Sequence, residues 1–156
     1  MSRYVLDASI AIKWFVPEVH SDAARRLLAS NHTFLVPDFF FAEVANVLWK
    51  RVRRTEDTAD NARQTLADLN AIPVEVCLSQ PLMLIALDIA LETDRAVYDS
   101  LYFALAITQQ CQIVTADEKF YNALKIATQI IFYGWRIFRK LRSLDDKDKW
   151  KNDPYF

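Results

Sequence analysis

Four carboxylates stand where this chain would not otherwise put charge: Asp7, Glu43, Asp99 and Asp117. Asp7 follows the apolar run Tyr4-Val5-Leu6 and precedes Ala8-Ser9-Ile10-Ala11-Ile12, which sets it at a strand's carboxyl end, where open α/β sheets bind ligands. Taken alone it reads as a helix cap, its oxygen accepting from free backbone N–H groups. Glu43 comes three residues after Phe40 and four before Val47, with Val44 and Leu48 beside it, so its carboxylate falls on or beside a helix's apolar stripe. A core-facing charge left unpaired is heavily penalised, so Glu43 needs a metal ion or an Arg/Lys partner, and its spacing leaves both open. Asp99 begins the apolar helix that runs from Leu101 to Ile107, and Asp117 follows Ile113-Val114-Thr115-Ala116; each also has a cap reading. As a set the four mean more. Carboxylates gathered at one sheet edge repel unless cations neutralise them, and an oxygen-only donor set selects hard Mg2+ or Mn2+.

The elements that must position these acids are legible as a pattern. Tyr4-Val5-Leu6, Phe34-Leu35-Val36, Val74-Glu75-Val76, Ile113-Val114 and Ile130-Ile131-Phe132-Tyr133 are five short β-favouring runs. Helical spacing fills residues 21–30, 39–53, 58–69, 81–92 and 100–109 between them. Starts are marked by Ser21-Asp22, by Asp38 after Pro37, by Thr58, by Ser79 before Pro81, and by Asp99. Strands alternating with helices imply an α/β fold, a parallel sheet covered on both faces.

Bulk composition narrows the chemistry further. With 156 residues, 53% of them hydrophobic, the chain has enough for one core and no room for a second domain. Nineteen Lys and Arg against 20 Asp and Glu leave a net charge of −1, so any nucleic acid must be held locally. Gly134 is the only glycine, which excludes GxGxxG, Walker A and GxSxG sites and rests catalysis on side chains. Cys77 and Cys111 lie far apart with no zinc spacing and read as reduced, buried cysteines of a cytoplasmic protein. The start MSRYVLDAS has no signal-peptide pattern, and no apolar run reaches membrane-spanning length, so a soluble protein is expected. His20 and His32 carry no motif, which disfavours a paired-histidine ribonuclease mechanism. Lys50, Arg51, Arg53 and Arg54 crowd a helix C-terminus, where the macrodipole favours cations. Residues 136–156 carry seven Lys/Arg against four Asp, a basic tail read as a solvated terminus.

YVLDASIAIKWF with Asp7, PDFFFAEVANVLW with Glu43, VYDSLYFALA with Asp99 and IVTADEKF with Asp117 together resemble the PIN domain, especially the VapC toxins of VapBC toxin–antitoxin modules. The resemblance covers residues 3 to 134 in order, so 1–134 is expected to be the PIN domain and 135–156 a tail outside it. It implies a three-layer α/β/α fold with a five-stranded parallel sheet in the order 3-2-1-4-5. The family's metal-binding acids fall on Asp7, Glu43, Asp99 and Asp117, and its supporting hydroxyls on Ser9 and Thr115. By that likeness the chain is a Mg2+- or Mn2+-dependent ribonuclease, the toxin of a type II toxin–antitoxin system. Metal would lower the pKa of a water, orient it in line with the scissile P–O bond and stabilise the leaving oxygen. An RNA substrate, a cognate antitoxin and a homodimer come with the same resemblance. The alternative is a non-catalytic PIN-like RNA- or protein-binding module. Degraded members typically lose one of the acids, and all four are present here.

Overall fold

A computed structural model describes residues 2–124 of the chain. Its first strand, β1 (Ser2–Leu6), enters the core part way along: Ser2 and Arg3 are exposed, while Tyr4, Val5 and Leu6 are buried. It pairs in parallel with β2 (His32–Pro37) on one side and β4 (Gln112–Val114) on the other. A third strand, β3 (Glu75–Cys77), joins beyond β2, again in parallel. The order is therefore β3-β2-β1-β4, the first four places of the order expected. The fifth expected strand, 130–133, and the basic tail lie outside the described residues. Strands paired in parallel on both edges and covered on both faces must be apolar throughout. Val5, Leu6, Leu35 and Val36 meet that demand with no exposed surface, each contributing about 1.5–3 kcal/mol of burial.

Helices make every crossover. Between β1 and β2 run α1 (Ala8–Phe15) and α2 (Ser21–Leu28); between β2 and β3 run α3 (Phe40–Arg53) and α4 (Ala59–Asn70). Between β3 and β4 a 3-10 turn (Gln80–Leu82) leads into α5 (Met83–Thr93) and α6 (Val97–Gln109), and residues 118–124 are helical after β4. Every residue of α6 from Ser100 to Ala106 is buried, the mark of a helix with core on all sides. It packs against β1, β2 and β4, so side chains of its first two turns come to the ends of those strands. Strands 1, 2 and 3 step outward in one direction and β4 lies on the other side, so the winding reverses between β1 and β4. Ligands bind at such a reversal, beyond the carboxyl ends of the strands.

Several boundaries differ from the pattern in the sequence, each for a local reason. Thr58 caps α4 as expected, accepting from the Asn61 N–H at 3.1 Å. Asp38 does not cap α3; it accepts from the Ser79 hydroxyl, while its own N–H donates to the Cys77 carbonyl at 2.9 Å. That pair ties the end of β2 to the segment after β3, and the Ser79 bond holds the Asp38 carboxyl below its ordinary pKa. Helix α6 begins at Val97 rather than residue 100, because Ala96 already takes the extended cap conformation, and this places Asp99 inside the first turn. Cys77 and Cys111 are free thiols, partly buried rather than buried, and burial raises the pKa of both. With glycine absent from all the described residues, α5 and α6 end on Asp94 and Gln110 in the left-handed conformation that glycine ordinarily supplies. Among the described residues no helix is long and apolar enough to cross a membrane.

Candidate active site

Asp7 occupies the N-cap position of α1, yet its side chain bonds none of that helix's N–H groups, so the cap reading fails for it. Two hydroxyls hold it instead. Ser9 Oγ donates to Asp7 Oδ2 at 2.5 Å and Thr115 Oγ1 donates to the same oxygen at 2.6 Å. Each hydroxyl is itself fixed from behind: the Ala116 N–H donates to Ser9 Oγ at 2.9 Å, and the Asp117 N–H to Thr115 Oγ1 at 3.0 Å. Asp7 N–H donates to the Val114 carbonyl at 3.1 Å, prolonging the β1–β4 pairing by one bond. The loop after β4 is thereby clamped onto the end of β1, at the point where the winding reverses. Burial pushes the Asp7 carboxyl above its ordinary pKa; the two hydroxyls pull it down, and the charges of Asp99 and Asp117 raise it.

Glu43 lies in the first turn of α3, half-buried beside the stripe of Phe40, Val44 and Leu48. Its partner is neither Arg nor Lys: the Tyr102 hydroxyl of α6 donates to Glu43 Oε2 at 2.6 Å. Burial raises the Glu43 pKa, the Tyr102 bond lowers it, and Asp7 and Asp99 raise it again. Tyr102 is itself buried, and burial followed by the Glu43 and Asp7 charges keeps its phenol protonated, hence a donor. Among the described residues no ion pair reaches Asp7 or Glu43.

Asp99 and Asp117 share a cation. Arg95 Nη2 donates to Asp99 Oδ2 at 2.9 Å and stands 3.6 Å from Asp117 Oδ2. Burial raises the Asp99 pKa, Arg95 lowers it, and Asp117 raises it. The cap reading does hold for Asp117, whose Oδ1 accepts from the Phe120 N–H at 3.0 Å. Arg95 and Tyr102 were not singled out from the sequence. A signal existed for each: Arg95 stands four residues before Asp99, and a tyrosine inside a buried apolar helix needs a partner for its hydroxyl.

All four acids and both hydroxyls thus come to one end of the sheet: Asp7 feels the charges of Asp99 and Asp117, Glu43 those of Asp7 and Asp99, and Asp99 that of Asp117. Oxygen-only donors, two of them without a cation among the described residues, fit a hard divalent ion in chemistry. With Arg95 between Asp99 and Asp117, no three Asp, Glu, His or Cys among the described residues close on a single point as ligands. His20 and His32 take no part; His32 packs edge-on against Tyr4. An open hollow beside Pro17, His20 and Arg25 holds none of the four acids.

This chain belongs to the PIN domain family: the family model matches residues 4–125. Among curated relatives it is similar to ribonuclease VapC3 of Pyrobaculum aerophilum, 32% identical over 120 residues that cover 75% of this chain and 91% of that protein. Solved structures carry the same fold at lower identity. The crystal structure of Mycobacterium tuberculosis VapC20, titled a sarcin–ricin loop cleaving toxin, matches with a TM-score of 0.63 and 19% identity over 78% of this chain and 95% of that one. A Pyrobaculum aerophilum crystal structure matches with a TM-score of 0.61 and 20% identity over 84% and 90% of the two chains.

Proposed function

We propose that this chain is a ribonuclease toxin of VapC type in which Asp7, Glu43, Asp99 and Asp117 hold Mg2+ or Mn2+. The observation that carries the reading is Asp7: a buried carboxylate that caps nothing, pairs with no cation among the described residues, and is fixed by two hydroxyls. Such a charge is retained only where a cation offsets it. A bound divalent ion supplies an activated water and a counter-charge for the phosphate under attack. The chain's own residues do the positioning. Both hydroxyl bonds fall on Asp7 Oδ2, so Ser9 and Thr115 set the carboxylate's orientation without using Oδ1. Tyr102 does the same for Glu43 through Oε2. The 32% identical relative named a ribonuclease supports RNA as the substrate.

The proposed partners are RNA, a cognate antitoxin and a second copy of the chain, in the cytoplasm. Support for the second copy comes from α5, where Leu84, Leu87 and Leu91 stand exposed on one side of the helix. A non-catalytic PIN-like RNA- or protein-binding module is the other reading, and Arg95, neutralising Asp99 and Asp117, is what favours it.

The deciding experiment incubates purified protein with RNA after EDTA treatment, then restores Mn2+ or Mg2+, with Asp7→Asn in parallel. Cleavage is expected only for the wild type and only with metal. Full activity in excess EDTA, or in Asp7→Asn, rejects the metal-nuclease reading.

A further inference from the structure

We propose that Arg95 is a built-in counter-ion of the acidic pocket, competing with the divalent cation for Asp99 and Asp117 and leaving them when the cation binds. The inference rests on the metal-binding reading above and adds a residue to which that reading gives no role. Arg95 Nη2 serves two carboxylates from separate elements, Asp99 of α6 at 2.9 Å and Asp117 of the loop after β4 at 3.6 Å. Arg95 and a divalent ion drawn to the same two carboxylates repel each other at that range, so the binding of one weakens the hold of the other.

Two features make displacement cheap. First, the grip is incomplete: one nitrogen makes both contacts, and Arg95 Nε is buried with no hydrogen-bond partner among the described residues. A forked, two-nitrogen pairing would resist release far better. Second, Arg95 lies between the C-cap of α5, Asp94, and the N-cap of α6, Ala96, so it stands outside both helices and its side chain is already 24% exposed. A turn of that side chain toward solvent disrupts no helix. While Arg95 is in place, it lessens repulsion among acids that would otherwise face one another bare.

The test titrates Mn2+ by calorimetry into wild type, Arg95→Met and Arg95→Lys, each stripped of metal, and records the melting temperature with and without Mn2+. Arg95→Met is expected to bind Mn2+ roughly 2- to 5-fold more tightly, the range one partly exposed competing charge can command. Its metal-free form should melt lower than the wild type, and Mn2+ should raise its melting temperature by more. Arg95→Lys, which keeps the charge but not the guanidinium geometry, should fall between the two and decides the matter if Arg95→Met does not fold. Equal or weaker Mn2+ affinity in the folded variants, the result of a merely structural ion pair, overturns this inference alone. No Mn2+ binding by wild type or variants overturns the metal site and this inference with it.

Discussion

The phenol of Tyr102 donates to Glu43 Oε2 at 2.6 Å, joining α6 to α3 across 59 positions of sequence. Tyr102→Phe keeps the buried ring and deletes that single bond, so the fold should persist at a cost of about 1–2 kcal/mol. Glu43 then loses the group that orients it and lowers its pKa. RNA cleavage should fall about 10- to 100-fold, the usual effect of removing a partner that orients a metal ligand. Single-turnover rates beside a urea melt check both; an unchanged rate in a folded variant would deny Tyr102 this role.

Stability of the metal-free protein should depend on pH in a direction that the pocket dictates. Burial raises Asp7, Glu43 and Asp99 above their ordinary values of 3.8, 4.5 and 3.8. Between those values and the raised ones the folded chain binds more protons than the unfolded chain, so stability falls as pH rises through that window. Asp38 works oppositely: its lowered pKa contributes stability above 3.8 that is lost as pH falls through the depressed value, a separate and more acidic window. In EDTA the protein should therefore melt at a higher temperature near pH 5 than near pH 8, and Mn2+ should narrow the gap. Asp7→Asn, whose amide oxygen can still accept from Ser9 and Thr115, should raise the melting temperature most at pH 8. A variant less stable than wild type at pH 8 would contradict this account.

Helix α5 buries only Ala86 and Ile89 and leaves Leu84 at 78%, Leu87 at 46% and Leu91 at 75% exposure. Their spacing puts them on one stripe, long enough to meet the same stripe of a second copy. Light scattering should report a dimer for the wild type and a monomer for Leu87→Glu, with circular dichroism unchanged. A wild type that stays monomeric at high micromolar concentration removes this surface from consideration.

Gln110 ends α6 with φ 53° and ψ 44°, its N–H bonded to the Ala106 and Ile107 carbonyls. Cβ sterics penalise that conformation in every residue but glycine. Gln110→Gly should stabilise the protein by about 0.5–1 kcal/mol, the relief exceeding the extra freedom glycine gains when unfolded. A melt showing no gain would mean that the glutamine side chain makes good the strain elsewhere.

Periodicity and turn chemistry determined four strands and most of the helices, though not α1, because hydrophobic spacing and Thr58-type caps act over a few residues and need no distant partner. They also singled out Asp7, Glu43, Asp99 and Asp117, since a charge beside apolar runs is conspicuous along a chain. Even the clamp on Asp7 was foreshadowed by the family resemblance, which marked Ser9 and Thr115. Which partner each acid takes was another matter. Asp7 reads as a cap and does not cap; Glu43 reads as wanting metal or Arg and receives a tyrosine; Asp99 and Asp117 share Arg95. Those choices are made where α6 crosses the ends of β1 and β4, between side chains up to 108 positions apart. Hydrogen bonds weaken steeply within an ångström of their optimum, so only the folded backbone decides which of several eligible groups comes close enough to form them.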